Sequence, residues 1–262
     1  MNLRKKSELA NSILEKETSY FKDKNIIYGF FTNSKDKLTK ENIEAQLTVI
    51  DSYYSTNMSR RYYGIEEVAE SILKISNSKD ELKNKFIEYP KTSNHSNEIT
   101  NLFHKKYGYN KKGKSVGRSM SLISKYAYFI TDFNFPIYDS IVREVYPLLS
   151  EGNKLNDSKF DKFVTSMNKL LQFSQIDDFN KLDNLLWLIG KINRGNYSLI
   201  LKKSNYLELV AKIDNLDSFK SNEIDMKIRD YINNNIDDLS NIFTDRQRKM
   251  IKFSNKLTKN KA

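Results

Sequence analysis

Gly117-Arg118-Ser119-Met120-Ser121-Leu122, followed by Phe135-Pro136-Ile137-Tyr138-Asp139-Ser140-Ile141-Val142-Arg143, is the stretch on which the reading of this chain turns. The first part predicts a glycine-ended turn opening a helix, whose unpaired N–H groups and positive dipole end make a seat for phosphate. The second predicts a tight loop that delivers one aspartate to the start of the next helix. Pro136 fixes its own backbone, biases Phe135 toward an extended conformation and leaves Asp139 at the N-cap position before Ser140. An aspartate there caps a helix whatever else it does. The uncharged approach Phe135-Pro136-Ile137-Tyr138 nevertheless brings the carboxylate up from the core, where it can stabilise positive charge developing on a sugar carbon.

The charge pattern around the motif points the same way. No acidic residue occurs between Ile99 and Thr131, whereas Lys105, Lys106, Lys111, Lys112, Lys114, Arg118 and Lys125 all fall there. A second acid-free run, Arg246, Arg248, Lys249, Lys252, Lys256, Lys259 and Lys261, follows Asp245 and reads either as a solvated helix end or as a basic tail. The net charge of +11 over 262 residues suits a polyanionic partner, although high Lys and Asn usage contributes to it.

With eight glycines, three prolines and little strand-like alternation, the chain reads as all-α. Ile43, Leu47, Ile50 and Tyr54 form one apolar stripe, and Ile65, Val68, Ala69, Ile72 and Leu73 the next, joined through Tyr53 to Tyr63. Ser78 and Asp80 can cap a short helix that runs to Glu88 and is ended by Pro90; Lys91 to Asn97 is a loop, Asn97 to Lys106 a helix, and Gly108 to Gly117 a turn. After Asp139 a helix carrying Ile141, Val145 and Leu148 is interrupted early by Pro147 and finished by Gly152. Helices over Phe160 to Phe173, around Trp187, near Leu207 to Ile213 and through Ile224 to Leu239 follow. The simplest partition is an N-terminal helical extension (1–39), a core (40–195) and C-terminal helices with the basic tail (196–262). No apolar run is long enough to cross a bilayer and the N-terminus lacks the apolar centre of a signal peptide, so a cytoplasmic chain without a membrane partner is expected. The absence of cysteine excludes disulfides and thiolate metal sites, and His95 and His104 offer little for zinc; no metal and no cofactor are expected.

Gly117-Arg118-Ser119 followed by Phe135-Pro136-Ile137-Tyr138-Asp139-Ser140 resembles the helix-hairpin-helix DNA glycosylase superfamily, with its 8-oxoguanine-glycosylase-like helical fold. In that superfamily a hairpin of the type L-P-G-V-G-R-(S/K)-T precedes a P-x-x-D segment whose aspartate is essential. The resemblance implies a glycosylase core carrying extra N- and C-terminal helices, a monomer, and double-stranded DNA from which a damaged or modified base, for instance one in invading phage DNA, is flipped out. It makes Asp139 the catalytic carboxylate; Lys111, Lys112, Ser115, Gly117, Arg118 and Ser119 the DNA-binding hairpin; Thr56 and Asn57 the strand-inserting loop; and Tyr54, Tyr138 and Trp187 the base pocket. Ser119 stands where strand-cutting members carry a lysine nucleophile, which implies a monofunctional enzyme; Lys125 and Lys114 are the nearby lysines, either substituting for it or binding phosphate. Two alternatives stay open: a binding module of the same fold that has lost catalysis, which Ser115 in place of a turn glycine favours, and a defence nuclease, for which no paired carboxylates stand out.

Overall fold

A computed structural model describes residues 3–15, 18–33, 36–91 and 97–194, and over these the chain is all-α with one small antiparallel ribbon. The helices are α1 (Leu3–Leu14), α2 (Ser19–Thr32), α3 (Lys40–Tyr54), α4 (Gly64–Leu73), α5 (Lys79–Glu88), α6 (Asn97–His104), α7 (Met120–Ile130), α8 (Ser140–Leu149), α9 (Phe160–Ser174) and α10 (Phe179–Asn193). Short polar side chains start them where N-cap chemistry requires: Thr18, Thr39, Ser78, Asp139 and Asp178 each accept a hydrogen bond from a backbone N–H in the first turn. The helices expected near Leu207 to Ile213 and Ile224 to Leu239, the basic tail, Gly195 and His95 lie outside the described residues. Among the described residues no helix is long and apolar enough to cross a membrane.

The core is organised around α7, in which every residue from Leu122 to Ile130 is buried. It packs against α2, α3, α5 and α6, while α10 packs on α8 and α1. The N-terminal helices therefore share the core with the rest: Ala10, Leu14, Ile27 and Phe31 belong to the same buried cluster as Ile123, Leu185 and Ile189. Stacked rings of Phe103, Phe135 and Phe160 seal the side where α6, α9 and the loop before α8 meet. Gly190 lets α10 approach α8 closely, since a Cβ there would stand 2.4 Å from Ile141 Cγ2.

Two expectations are corrected. The segment Gly108 to Gly117 is not a plain turn: β1 (Lys106–Tyr109) and β2 (Ser115–Arg118) pair antiparallel, with Tyr107 opposite Gly117 and Tyr109 opposite Ser115. The turn glycine is Gly113, at φ 69°, and Asn110 Oδ1 shapes the turn by accepting from the N–H groups of Lys112 and Lys114. Gly117 lies inside the strand. Nor does Pro147 interrupt its helix early; α8 runs on to Leu149, because a proline in the last turn forfeits only one bond, to Arg143.

Candidate functional site

Asp139 occupies the N-cap of α8 with extended backbone geometry, and its Oδ1 accepts from Val142 N at 2.9 Å. The loop that delivers it is pinned from behind. Phe135 and Ile137 are buried, and Ser124 Oγ, inside α7, accepts from Tyr138 N at 2.9 Å, one residue before the carboxylate. With Oδ1 committed to the cap, Oδ2 faces the ammonium of Lys125 at 3.6 Å. Lys125 lies in the second turn of α7, its side chain only 3 % exposed against 23 % for Asp139. Its Nζ donates to Ser121 Oγ at 2.9 Å and sits 5.2 Å from the centre of the Tyr54 ring.

These groups form the floor of a cavity of about 580 Å³ between α2, the end of α3, the start of α7, the start of α8 and α10. Tyr54, Tyr138, Tyr20 and Trp187 supply aromatic wall, Thr56 and Asn57 one lip, and Arg143, Lys191 and Arg194 a basic rim. The Tyr20 and Trp187 rings pair at 4.0 Å, and Lys191 lies 5.3 Å from the Trp187 ring. Arg143 is held by Asp157 at 3.0 Å, an acceptor it shares with the Tyr138 hydroxyl, and Arg194 by Glu144 at 2.9 Å. Burial first, then the carboxylates of Asp183 and Asp139, pushes the Tyr54 hydroxyl well above the usual phenol range, so it acts as a neutral donor.

Behind the aromatic wall runs a polar network. The Tyr20 hydroxyl donates to Asn184 Oδ1 at 2.9 Å and to Asp183 Oδ2 at 3.3 Å. Lys24, itself buried, donates to the Tyr128 hydroxyl, Asn180 and Asn184. Removal from water dominates both charged groups: it pushes the Asp183 carboxyl up to about 6 against the pull of Lys24, and the Lys24 amine down to about 8 against the pull of Asp183.

The lip is a built feature as well. Asp51, buried on α3, accepts from the Thr56 hydroxyl, from Met58 N at 2.9 Å and from Ser59 N at 2.8 Å. Burial alone would raise the Asp51 carboxyl, but these hydrogen bonds outweigh it and hold the group below its ordinary value. They fix a loop in which Ser55 and Asn57 both have positive φ. The 3-10 turn Met58–Arg60 follows, and then Arg61, whose Nη1 donates to Gly117 O at 2.9 Å and Ser119 Oγ at 3.2 Å.

The structure thus brings Asp139, Lys125, Tyr54, Tyr138, Trp187, Thr56 and Asn57 onto one cavity. It leaves the hairpin residues Lys111, Lys112, Lys114, Ser115, Gly117 and Arg118 off that lining, on the ribbon. Lys114 is exposed there and does not approach Asp139's cavity. Ser119 is the N-cap of α7 but buried, its hydroxyl taken up by Arg61 and the Met58 sulfur at 3.1 Å, so phosphate could meet only its backbone. Sequence reasoning missed Tyr20, Ser124, Lys191 and Arg194 as members of the site. Nothing near them in the chain distinguishes them, and each reaches the cavity only through helix packing. Compared with family models, curated proteins and solved structures, the chain gives no match.

Proposed function

We propose that the chain is a DNA glycosylase that cleaves the N-glycosidic bond of a damaged or modified nucleotide turned out of the helix into the Asp139 cavity. The observation that carries this reading is the pair Asp139 and Lys125, 3.6 Å apart on the floor of an aromatic-walled, basic-rimmed cavity of about 580 Å³. That volume lies within the roughly 300–1,000 Å³ usual for small-molecule sites. Rings of Tyr138, Trp187 and Tyr54 suit a planar base, and Arg143, Lys191 and Arg194 suit the phosphates beside it. As the bond from C1′ to the base nitrogen breaks, its electron pair leaves on the base. Asp139, held by its cap, stabilises the cationic sugar and takes the proton of the nucleophile that bonds to C1′.

Water is the simplest nucleophile and makes the enzyme monofunctional. A second reading has one specific observation in its favour: Lys125, not Ser119, is the amine beside the carboxylate. Loss of its proton to Asp139 would let its nitrogen bond to C1′ as the base leaves with its electron pair; breaking of C1′–O4′, with a proton passing to O4′, would then give a Schiff base, from which elimination of the 3′ phosphate cleaves the strand.

The test is mass spectrometry of bases released from genomic and phage DNAs that carry natural modifications, with alkali cleavage to reveal abasic sites. Release by the native chain and none by Asp139→Asn is the expected outcome. DNA binding without release from any of these DNAs would leave a binding module, and cuts that require magnesium would mark a nuclease. Borohydride trapping of a protein–DNA adduct in the native chain, absent in Lys125→Met, decides between amine and water.

A further inference from the structure

The loop that forms the cavity lip has a second end. Beyond Arg61, Tyr62 and Tyr109 exchange both backbone hydrogen bonds, each at 3.0 Å, so the loop adds one bridge to the outer edge of β1. Directly opposed residues of an antiparallel pair project their side chains to the same face. The two tyrosines therefore stand side by side, and both face solvent, at 54 % and 38 % exposure. Tyr63, next along, is 68 % exposed and has φ 58°, a conformation that bulky residues rarely hold. The hydrophobic effect would bury three such rings, and here none is buried.

The backbone is packed to keep them there. Gly108, at φ 72°, allows β1 to lie on the loop, since a Cβ would stand 2.7 Å from Arg61 Cβ, and its N–H is held by Glu67 at 2.7 Å. Around the rings the ribbon and loop carry Arg60, Lys106, Lys111, Lys112, Lys114 and Arg118, all exposed. None of the six forms a salt bridge among the described residues. A face that joins unpaired cations to solvent-facing rings has the chemistry of a single strand's two repeating parts, phosphate and base. The paired bases of a duplex have their flat faces covered and could not use the rings.

We infer that the ridge of Tyr62 and Tyr109, side by side on the basic ribbon, is a binding surface for unpaired, single-stranded DNA. Bases stack on these two rings while the ribbon cations hold the backbone; Tyr63 stands apart, over a groove with Glu41, Glu44 and Glu66. The Thr56 to Arg61 segment connects this ridge to the cavity, so a strand lying on it can present a nucleotide to Asp139. That last link rests on the proposed glycosylase reading and narrows its substrate to a base that is already unpaired, in a bubble or a single strand; binding at the ridge does not depend on it.

Fluorescence anisotropy of the full chain with a labelled oligothymidylate and with a duplex of equal length, over a salt series, tests the ridge. The single strand should bind more tightly at every salt concentration. Tyr62→Ala and Tyr109→Ala should each weaken it roughly tenfold with the salt slope unchanged, and Phe at either position should restore it. Lys111→Gln with Lys112→Gln should make the slope shallower. Duplex affinity equal to or above that of the single strand, or alanine variants that fold by circular dichroism and bind as the native chain does, would overturn the inference. Single-strand binding with no base released from any DNA removes the excision reading and leaves the ridge standing, whereas base release from duplex alone overturns the narrowing of the substrate to an unpaired base.

Discussion

Removing the charge from Asp139 should destabilise the protein mainly through what it does to Lys125, and the size of that effect can be worked from the site. Asparagine caps a helix about as well as aspartate, so Asp139→Asn keeps the bond to Val142 N and loses little there. It leaves an ammonium whose side chain is 3 % exposed with only the Ser121 hydroxyl and the Tyr54 ring as partners. Breaking a buried pair from one side costs about 3–5 kcal/mol. Because Asp139 itself is 23 % exposed, water screens the pair and the expected loss is nearer 2–3 kcal/mol. Lys125→Met removes the buried cation and leaves a carboxylate that water and the helix N-terminus can serve, at a cost of about 1 kcal/mol or less. The double variant should be close to Lys125→Met alone, giving a coupling of about 2 kcal/mol. Urea unfolding of the four proteins measures it. Additivity within about 0.5 kcal/mol would mean that the two groups do not feel each other and would refute the reading of the cavity floor.

Three further outcomes follow from the same structure. Asp51→Ala strips the acceptors from Met58 N, Ser59 N and the Thr56 hydroxyl, and should cost about 1–3 kcal/mol in a thermal melt while exposing the 55–60 loop to proteolysis; an unchanged cleavage pattern would mean the loop is held elsewhere. Tyr126→Phe should be neutral or stabilising by up to about 1 kcal/mol, because the Tyr126 hydroxyl is fully buried with no hydrogen-bond partner among the described residues; a clear loss of melting temperature would show a partner the packing conceals. Asp183 binds its proton at about 6 in the fold against an ordinary 3.8, so the native state holds more protons between those values and stability should fall as pH rises from about 4 to 6. Asp183→Asn should flatten that slope. Lys24 works in the opposite sense: with its amine at about 8 rather than 10.5, the unfolded chain binds more protons above pH 8, so stability should rise from there toward pH 10.5, and Lys24→Met should abolish the rise.

Local chemistry was readable in the sequence where one residue type suffices. Ser78 and Asp139 cap their helices as their positions predicted, because an N-cap needs only an acceptor one turn before the amide it serves. The ribbon was not readable: its strands are four residues long, only Tyr107 and Tyr109 alternate, and what makes them strands is pairing with Ser115–Arg118 and with Tyr62, contacts that no local pattern records. Gly117 looked like the turn because a glycine before a helix usually is one, whereas the positive φ falls at Gly113 and Gly108. At the site the asymmetry repeats. Tyr54, Tyr138 and Trp187 are named through the family resemblance, whereas Tyr20 is one of sixteen tyrosines, and only the packing of α2 beside α10 places it against Trp187. Ser124 looks like any helix serine until its acceptor role toward Tyr138 N is seen.

Among the described residues Lys6, Lys24 and Lys125 are buried, and the last two make the strongest internal comparison for what the cavity does. A lysine kept only for structure should have its donors satisfied, and Lys24 meets that standard: hydroxyl and amide oxygens of Tyr128, Asn180 and Asn184 surround it, with the Tyr128 and Phe133 rings at 5.0 and 4.6 Å. Lys125 does not. Among the described residues its hydrogen bond goes to Ser121, and its carboxylate partner stands at 3.6 Å, beyond the roughly 3.2 Å limit of a good N–H···O bond. Ammonium has three donors, so Lys125, which lines the cavity, has capacity that these partners do not use. Burying a charge without satisfying it is an arrangement selected against unless something else completes it. In the proposed glycosylase reading, a phosphate or base carbonyl seated in the cavity would supply the missing acceptor.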